Sequence, residues 1–405
     1  MTAGNAAPED MRPLDRVTEA ACYASGFFSL GLVPTMWIVI PLWALELGAS
    51  PLEIGFIVGA RAVLPLMFSI HGGVVMDRLG IRRVMFWLAG ACFLQIPLYP
   101  LMPWIPALIF LQLIFGLTQS LTWIGAQAQI GELTAGSPVH SGRFGFASGA
   151  GTFAGPLVAG VAWDTLGHYG AFAVIGLWCA ALWASIRFLP AAPAGAANPP
   201  VPFDLGILMP RLKDYVEAAK FAAVPAVAVV VIAAFGRIGA VSVQGSFYPV
   251  YLASIDYTGT IIGGLIATSS LFVALSALLN DTLARFVSQY WILVGAIGLS
   301  VVAICATPFF TSLTVLAGLA VLYGFGVGLT LPSALTILSR AAGPARQGLA
   351  PGVRGTANRL ASLVVPVSMG VVVGLFDMQT AFVVVGAAMA ATLVAMGVMI
   401  VRYKL

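Results

Sequence analysis

Long apolar runs alternate with short polar connectors along most of the chain. An α-helix needs about 20 apolar residues to cross the hydrocarbon core of a bilayer, and the runs are close to that length. Twelve runs can be placed, at residues 20–44, 52–75, 83–100, 104–130, 146–163, 169–189, 221–252, 258–279, 289–308, 312–338, 353–375 and 380–401. The pattern predicts an all-α membrane protein with twelve transmembrane helices.

One longer break divides the runs into two groups of six. Residues 190–220 are rich in proline and alanine and then charged, which is typical of a semi-stiff linker followed by a short interfacial helix. We expect a cytoplasmic tail at residues 1–19, an N-terminal half at 20–189 and a C-terminal half at 221–405, with the linker on the cytoplasmic side.

The two halves carry a weak internal repeat. Residues 41–55 align with residues 249–263 at an offset of 208, and residues 155–160 align with residues 365–370 at an offset of 210. Repeats of this kind are typical of transporters whose halves hold a solute between them near the middle of the membrane. The repeat therefore predicts two pseudo-symmetric halves that rock against each other.

Basic residues are confined almost entirely to one side of this arrangement. Seventeen of the 19 lysines and arginines fall in the tails, connectors and adjoining run ends of that side, whereas the connectors of the other side contain acids and no basic residue. Because Lys and Arg concentrate in cytoplasmic loops, we expect both termini in the cytoplasm and the chain in the cell (inner) membrane. With 60% hydrophobic and 8% charged residues, the composition excludes an ordinary soluble protein. The net charge of +4 reflects the topology and not a basic surface for nucleic acid, so we expect no nucleic-acid partner.

A charged stretch between the second and third runs has a distinctive spacing. It consists of Gly73-Val-Val-Met-Asp77-Arg78-Leu-Gly80-Ile-Arg82-Arg83. The stretch resembles the loop between helices 2 and 3 of the major facilitator superfamily of secondary transporters. The resemblance implies that Asp77 and Arg78 belong to a cytoplasmic charge relay that breaks as the halves rock. A plain positive-inside anchor is the alternative, but it explains neither Asp77 nor the glycines.

The fifth run contains Gly155 and Pro156 in a series of small residues, 149–160, which is similar to the helix 5 motif of antiporter and efflux members of that family. The resemblance implies export, with Ala159 standing where those members have a glycine. Ordinary close packing of small residues is the alternative. The fourth run lacks the arginine of proton-coupled drug exporters, so a proton is only one candidate for the coupling ion.

The resemblance also implies that helices 1, 4, 7 and 10 line a central cavity. Polar and aromatic residues at helical spacing mark candidate faces on these runs. The predicted solute-binding residues are Arg237, Gln244 and Tyr248 on the seventh run, Gln119 and Trp123 on the fourth, Trp37 on the first, Tyr323 on the tenth and Arg61 on the second.

The two mid-span arginines are the most informative of these residues. A guanidinium inside a membrane span costs at least about 2.5 kcal/mol and needs a partner or a cavity. Its planar fork suits a carboxylate or a phosphate, so Arg237 and Arg61 predict an anionic solute. Alternatively, Arg61 pairs with Glu53 or a helix end, and Arg237 caps backbone carbonyls at a kink.

Arg354 and Arg359, in the first turns of the eleventh run, complete the predicted gate. They either close the cytoplasmic mouth against acids such as Glu132 or Asp77 or only anchor the helix.

These observations predict a secondary transporter that works by alternating access and exports or exchanges a small organic anion. A multidrug exporter and a proton-coupled anion importer are the alternatives within transport, and a non-transporting receptor or assembly factor is the alternative of another class. The sequence contains no nucleotide-binding loop, metal cluster or nucleophile beside a base, so we expect no enzyme, cofactor or metal. We expect a monomer in the lipid bilayer.

Overall fold

The computed structural model describes residues 15–134, 136–190, 220–342 and 349–405, except for the side chains at 69–74, 77, 342 and 349–351. The regular structure of these residues is helical. Its long helices are α1 (Arg16–Glu46), α2 (Pro51–Leu79), α3 (Ile81–Gln95), α4 (Ile105–Leu133), α5 and α6 (together Pro138–Arg187), α7 (Pro225–Gln244), α8 (Gly259–Leu278), α9 (Gln289–Ala306), α10 (Leu313–Ala342), α11 (Leu349–Leu375) and α12 (Met378–Tyr403). Shorter segments follow α3, α7, α8 and α9, at Leu98–Leu101, Phe247–Ser254, Asn280–Leu283 and Thr307–Phe309.

The helix Pro138–Arg187 is two membrane spans joined at a sharp bend. Its 50 residues would extend about 75 Å, more than twice the thickness of a bilayer core. Gly167 breaks it with φ 66° and ψ −171°, so residues 138–166 are α5 and residues 168–187 are α6. Within the described residues 11 helices are long and apolar enough to span a membrane, and the bend in this one gives twelve crossings, as predicted.

Polar residues at the start of several helices fix where they begin. Their side chains accept hydrogen bonds from backbone N–H groups that have no partner within the helix. These N-caps are Asp15, Ser50, Thr258, Ser288 and Asp377. α1 therefore begins at Arg16, a few residues before the predicted span.

The membrane helices alternate in direction, which gives the bundle two faces. We call the face that holds the start of α1 and the end of α12 the terminal face, and the other face the opposite face. The turns that join α1 to α2, α5 to α6, α7 to α8 and α11 to α12 all lie at the opposite face.

The charged stretch 73–83 is mostly helix, whereas the sequence predicted a loop. α2 continues to Leu79 and α3 begins at Ile81, so only Gly80 (φ 87°) lies between them. Glycine adopts this φ without the strain that a side chain would cause. α2 persists because its peptide groups satisfy their hydrogen bonds within the helix as it leaves the membrane. The predicted interfacial helix of the linker lies outside the described residues, as do residues 1–14.

The two halves touch along two seams, α2 against α11 and α5 against α8. In the first seam Gly55 lies so close to Pro366 that an added Cβ would be 2.5 Å from the proline carbonyl oxygen. In the second seam Gly263 lies equally tightly against the carbonyl of Pro156. These four residues correspond pairwise in the internal repeat, which confirms the predicted pseudo-symmetry.

A second pair of contacts extends both seams toward the opposite face. Gly370 packs on Pro51 in the first seam, and Gly160 packs on Gly259 in the second. All these contacts lie in the parts of the helices nearest the opposite face. The halves are therefore closed against each other at the opposite face.

Candidate functional site: a pocket with two arginines

A pocket lies in the C-terminal half, between α7, α9, α10 and α11. It is narrow in this conformation, with a cavity volume of about 10 Å³, and is lined by Val230, Ala233, Ala234, Arg237, Leu293, Thr330, Leu331, Ala334, Arg354 and Asn358. These residues belong to the parts of the four helices nearer the terminal face. We call this cavity the arginine pocket. Most of its wall is apolar, and its charge comes from the two arginines.

Arg237 reaches the pocket from the middle of α7, about 18 Å along the helix from Pro225. Its side chain is partly buried, and its Nε is shielded from solvent without a hydrogen-bond partner among the described residues. Arg354 and Asn358 face it from α11, where a spacing of four residues places them on one face of the helix. The Nε of Arg354 and the Oδ1 of Asn358 are also buried, with no partner in the described part of the chain.

The described carboxylates do not neutralise these arginines. The ion pairs among described residues join Glu19 to Arg143 and His140, and Glu46 to His168. Four other acids serve as helix caps or bind backbone N–H groups, namely Asp15, Glu53, Asp164 and Asp377. Arg237 and Arg354 lie close enough to repel each other. The pocket therefore presents two like charges to whatever enters it.

Arg61 lies in the N-terminal half and is not part of this pocket. Its guanidinium carbon is 5.7 Å from the centre of the Trp37 ring, a cation–π distance. Trp37 also packs against Gly245 of the other half, and its indole N–H is buried without a partner. Glu53 accepts hydrogen bonds from the backbone N–H and the hydroxyl of Ser50, both at 2.7 Å, so it does not pair with Arg61.

The predicted amide and aromatic residues of α4 and α7 contact neighbouring helices within their own half. Gln119 donates to the Ser29 carbonyl at 3.1 Å, and Gln244 donates to the Ser269 hydroxyl at 2.8 Å. Trp123 stacks on Phe144, with ring centres 5.8 Å apart. None of the three lines the arginine pocket.

The two predicted tyrosines are both buried and lie outside the pocket lining. Tyr248 is 3% exposed and Tyr323 is 2% exposed. No described residue forms a hydrogen bond with the Tyr323 hydroxyl, which lies close enough to Arg237 to interact with its charge. Of the predicted solute-binding residues, Arg237 lines the pocket and Tyr323 lies close to Arg237.

The predicted gating residues lie in different environments. Arg82 donates to the carbonyls of Ile186 (3.4 Å) and Arg187 (2.6 Å), which ties α3 to the end of α6 within one half. Arg83 is exposed, and the side chain of Asp77 is outside the described set. Arg78 is partly buried.

On α11, Arg359 crosses between the halves and donates to the Ser120 hydroxyl at 3.4 Å. Gly155 packs tightly on Gly31 and Thr35 of α1, within the N-terminal half. Pro156 belongs to the seam with α8 described above. Neither Arg354 nor Arg359 forms an ion pair with Glu132, and Arg354, predicted as a gate residue, also lines the pocket.

Sequence reasoning did not assign Arg354 and Asn358 to solute binding. Arg354 lies only five residues from the start of α11, a position that is also typical of an anchor at the membrane surface. The usable signal was the combination of an arginine and an amide four residues apart in the first turns of a membrane helix.

Comparison with known proteins agrees with this architecture. Two solved structures of the nucleoside transporter NupG are similar to the chain. A mutant of NupG has a TM-score of 0.79 at 15% identity and covers 94% of this chain and 99% of its own. Another NupG structure has a TM-score of 0.75 at 16% identity and covers 94% and 98%. At such identities the likeness shows the fold alone.

No curated protein sequence matches the chain significantly. The family model described as Major Facilitator Superfamily matches residues 21–226 and 230–404, which is nearly the whole chain. The chain therefore belongs to the Major Facilitator Superfamily and is a multi-pass membrane transporter of a small-molecule solute.

Proposed function

We propose that the protein is a secondary transporter that works by alternating access and exports or exchanges a small organic anion bound in the arginine pocket. The observation that carries the proposal is the Arg237 guanidinium, which enters a largely apolar pocket and meets no described carboxylate. The proposal places the protein in the cell membrane with both termini in the cytoplasm, because basic residues are concentrated on that side.

The physical argument concerns the cost of an unpaired charge. Arginine stays protonated in proteins, so it cannot avoid this cost by losing its proton. A charge inside the membrane is expensive unless it has a partner or water, and residues that bear such a charge are usually functional. A solute carboxylate or phosphate would supply the missing partner through two parallel hydrogen bonds.

The arrangement of the halves supports alternating access. The seams close the opposite face, while the arginine pocket lies toward the terminal face. This is the arrangement expected for one end state of a transporter whose halves rock about a central site. Energy would come from an ion or solute gradient, and the series of small residues on α5 favours export by its resemblance to antiporters.

A nucleoside is the second candidate solute, favoured by the structural likeness to NupG, which is described as a nucleoside transporter. Two buried hydrogen-bond donors without partners, the Tyr323 hydroxyl and the Trp37 indole N–H, suit a neutral polar solute. This candidate gives Arg237 no direct role in binding, so the two candidates differ in a measurable way.

The test is ligand-induced thermal stabilisation of the purified protein in detergent. The probes are carboxylates, organic phosphates, nucleosides and lipophilic cations, each tested on the unaltered protein, on Arg237→Gln and on Arg285→Gln. A ligand at 100 times its Kd adds about 2.7 kcal/mol of apparent stability. Arg285 is exposed between α8 and α9, so Arg285→Gln removes a charge of the same kind without touching the pocket.

We expect anions to stabilise the unaltered protein and Arg285→Gln, and to have no effect on Arg237→Gln. Flux of the stabilising anion into liposomes would then distinguish a transporter from a non-transporting receptor. If only nucleosides or cations raise the melting temperature, and Arg237→Gln responds equally, the anion proposal is wrong.

A further inference from the structure

The arginine pocket contains two arginines that no described carboxylate neutralises. Their number indicates how many negative charges the solute carries. Arg237 on α7 and Arg354 on α11 line the same cavity and repel each other. Neither forms an ion pair with a described carboxylate. A solute with a single negative charge would leave one guanidinium uncompensated.

The walls of the pocket do not offer a substitute for that missing charge. Beside the arginines they consist mainly of small aliphatic side chains, among them Val230, Ala233 and Leu293. The Thr330 hydroxyl donates to the Val327 carbonyl of its own helix at 2.6 Å, so its proton is already used. Apolar surroundings strengthen interactions between charges and raise the cost of leaving one unpaired.

Asn358 adds a polar group beside the charges. Its Oδ1 is buried without a partner, and it lies one helical turn from Arg354 on the same side of α11. An amide there can bind an oxygen or a hydroxyl of the solute in addition to the two guanidinium groups.

We propose that the solute carries two negative charges, as a dicarboxylate or a phosphate monoester does, and that Arg237 and Arg354 bind it together. This inference rests on the proposed function, since it specifies which anions the pocket accepts. The pocket volume in this conformation is about 10 Å³, close to the space that one water molecule needs, so the pocket walls must move apart to admit the dianion.

Two pairs of probes of similar size test the charge requirement. They are succinate against monomethyl succinate, and methyl phosphate against dimethyl phosphate, with thermal stabilisation as the readout. In the unaltered protein we expect each dianion to bind at least tenfold more tightly than its monoanionic partner. In Arg354→Gln we expect this difference to disappear, while the affinity for the monoanions stays within about threefold of its original value.

The pH dependence of methyl phosphate binding provides a second readout. The second pKa of a phosphate monoester is about 6, so raising the pH from 5 to 7.5 converts the monoanion to the dianion. We expect the affinity of the unaltered protein to rise across this interval and the affinity of Arg354→Gln to stay nearly constant. Dimethyl phosphate, which stays a monoanion, is the control ligand. Arg285→Gln should behave as the unaltered protein does.

The outcomes separate this inference from the proposed function. If monoanions and dianions bind equally and methyl phosphate binding does not depend on pH, the dianion inference is wrong and an anion transporter remains. If no anion binds the unaltered protein, both are wrong. Both comparisons can be made on the unaltered protein, so the test holds even if Arg354→Gln does not fold. Whether succinate or methyl phosphate binds more tightly distinguishes dicarboxylate from phosphate monoester.

Discussion

Several buried polar atoms that have no hydrogen-bond partner among the described residues occur near one another in the C-terminal half. They are the Nε atoms of Arg237 and Arg354, the Oδ1 of Asn358 and the hydroxyl of Tyr323. Most buried polar groups in proteins have a partner, and a group that lacks one is costly to the folded state. Their concentration around one pocket indicates that a ligand supplies the missing hydrogen bonds.

Replacing Tyr323 by Phe tests this idea at a single residue. Because the Tyr323 hydroxyl makes no hydrogen bond among the described residues, Tyr323→Phe should not lower the melting temperature of the ligand-free protein. If the hydroxyl binds solute beside Arg237, the same variant should show a smaller ligand-induced rise in melting temperature. Thermal melts with and without the stabilising ligand measure both effects.

Tyr251 provides the matched control. It is 5% exposed, and its hydroxyl donates to the Phe310 carbonyl at 3.0 Å, away from the pocket. Tyr251→Phe should cost about 1 kcal/mol in the ligand-free protein and leave the ligand-induced rise unchanged. An equal loss of ligand-free stability in both variants would mean that Tyr323 has a structural partner.

At this scale the sequence identified the mid-span charge but not its neighbours. Arg237 was predictable because an arginine in an apolar run requires a partner or a cavity. Its partnership with Arg354 was not, because 117 residues separate them and only the packing of α7 on α11 brings them together. Periodicity placed Gln119 and Trp123 on one face of α4, but it cannot show whether that face meets a cavity or a neighbouring helix.

Among the helices, α8 is capped by a residue of the other half in addition to its own N-cap, Thr258. Asp164, near the end of α5, accepts hydrogen bonds from the backbone N–H groups of Gly259 and Thr260, both at 2.7 Å. A carboxylate is stabilising at the positive end of a helix. Because this cap joins the two halves at the opposite face, it stabilises only conformations in which that face is closed.

Asp164→Ala should therefore shift the protein toward conformations that are open at the opposite face. Loss of an N-cap costs about 0.5–2 kcal/mol, which is roughly a two- to thirtyfold change in population. Spin labels at Trp104→Cys and Phe376→Cys, which lie at this face in different halves and are 55% and 69% exposed, report the change as a longer distance. The native cysteines are buried or partly buried.

Asp377 is the control, since it caps α12 within its own half by accepting a hydrogen bond from the Thr380 N–H at 2.7 Å. Asp377→Ala should lower stability without changing the label distance. Hydrogen bonds from Thr380 hold the pKa of this carboxyl below its usual value of 3.8. Its contribution is therefore present above that pH and is lost as the pH falls through the lowered pKa. An unchanged distance in Asp164→Ala would contradict the role assigned to Asp164.

The sequence predicted the number of membrane helices better than their ends. Apolar length gave twelve spans, but α5 begins at Pro138, whereas the apolar run begins near residue 146. Polar residues outside the hydrocarbon core can continue a helix, so hydropathy marks the membrane and not the helix. The contact of Asp164 with α8 was not predictable, since it depends on how two distant helices pack.

For the whole molecule, the internal repeat was visible in the sequence as alignments of the two halves at offsets of 208 and 210 residues. The structure shows that the aligned residues form the seams between the halves. Gly55 with Pro366 and Gly263 with Pro156 form equivalent tight contacts in the two seams. A glycine that faces a carbonyl lets two helices approach closely, and the approach is lost when a side chain is added. Closure of the opposite face therefore depends on these glycines.

Gly263→Ala should impair this closure. The added Cβ would overlap the Pro156 carbonyl of the other half, and overpacking of this kind costs about 1–3 kcal/mol. A cost of that size changes the balance between two conformations by roughly 5- to 150-fold. Flux in liposomes should fall, because the halves no longer alternate freely. Ligand binding should remain, because Gly263 is outside the arginine pocket.

Gly264, the next residue on α8, provides a matched control for Gly263→Ala. A Cβ at Gly264 would meet no atom within 4 Å, so Gly264→Ala adds the same methyl group to the same helix without touching the other half. Flux and the label distance at the opposite face should match those of the unaltered protein. If Gly263→Ala and Gly264→Ala transport equally well, closure at this seam does not limit transport. A loss of flux confined to Gly263→Ala, with binding retained and the labels farther apart, would assign the defect to rocking of the halves.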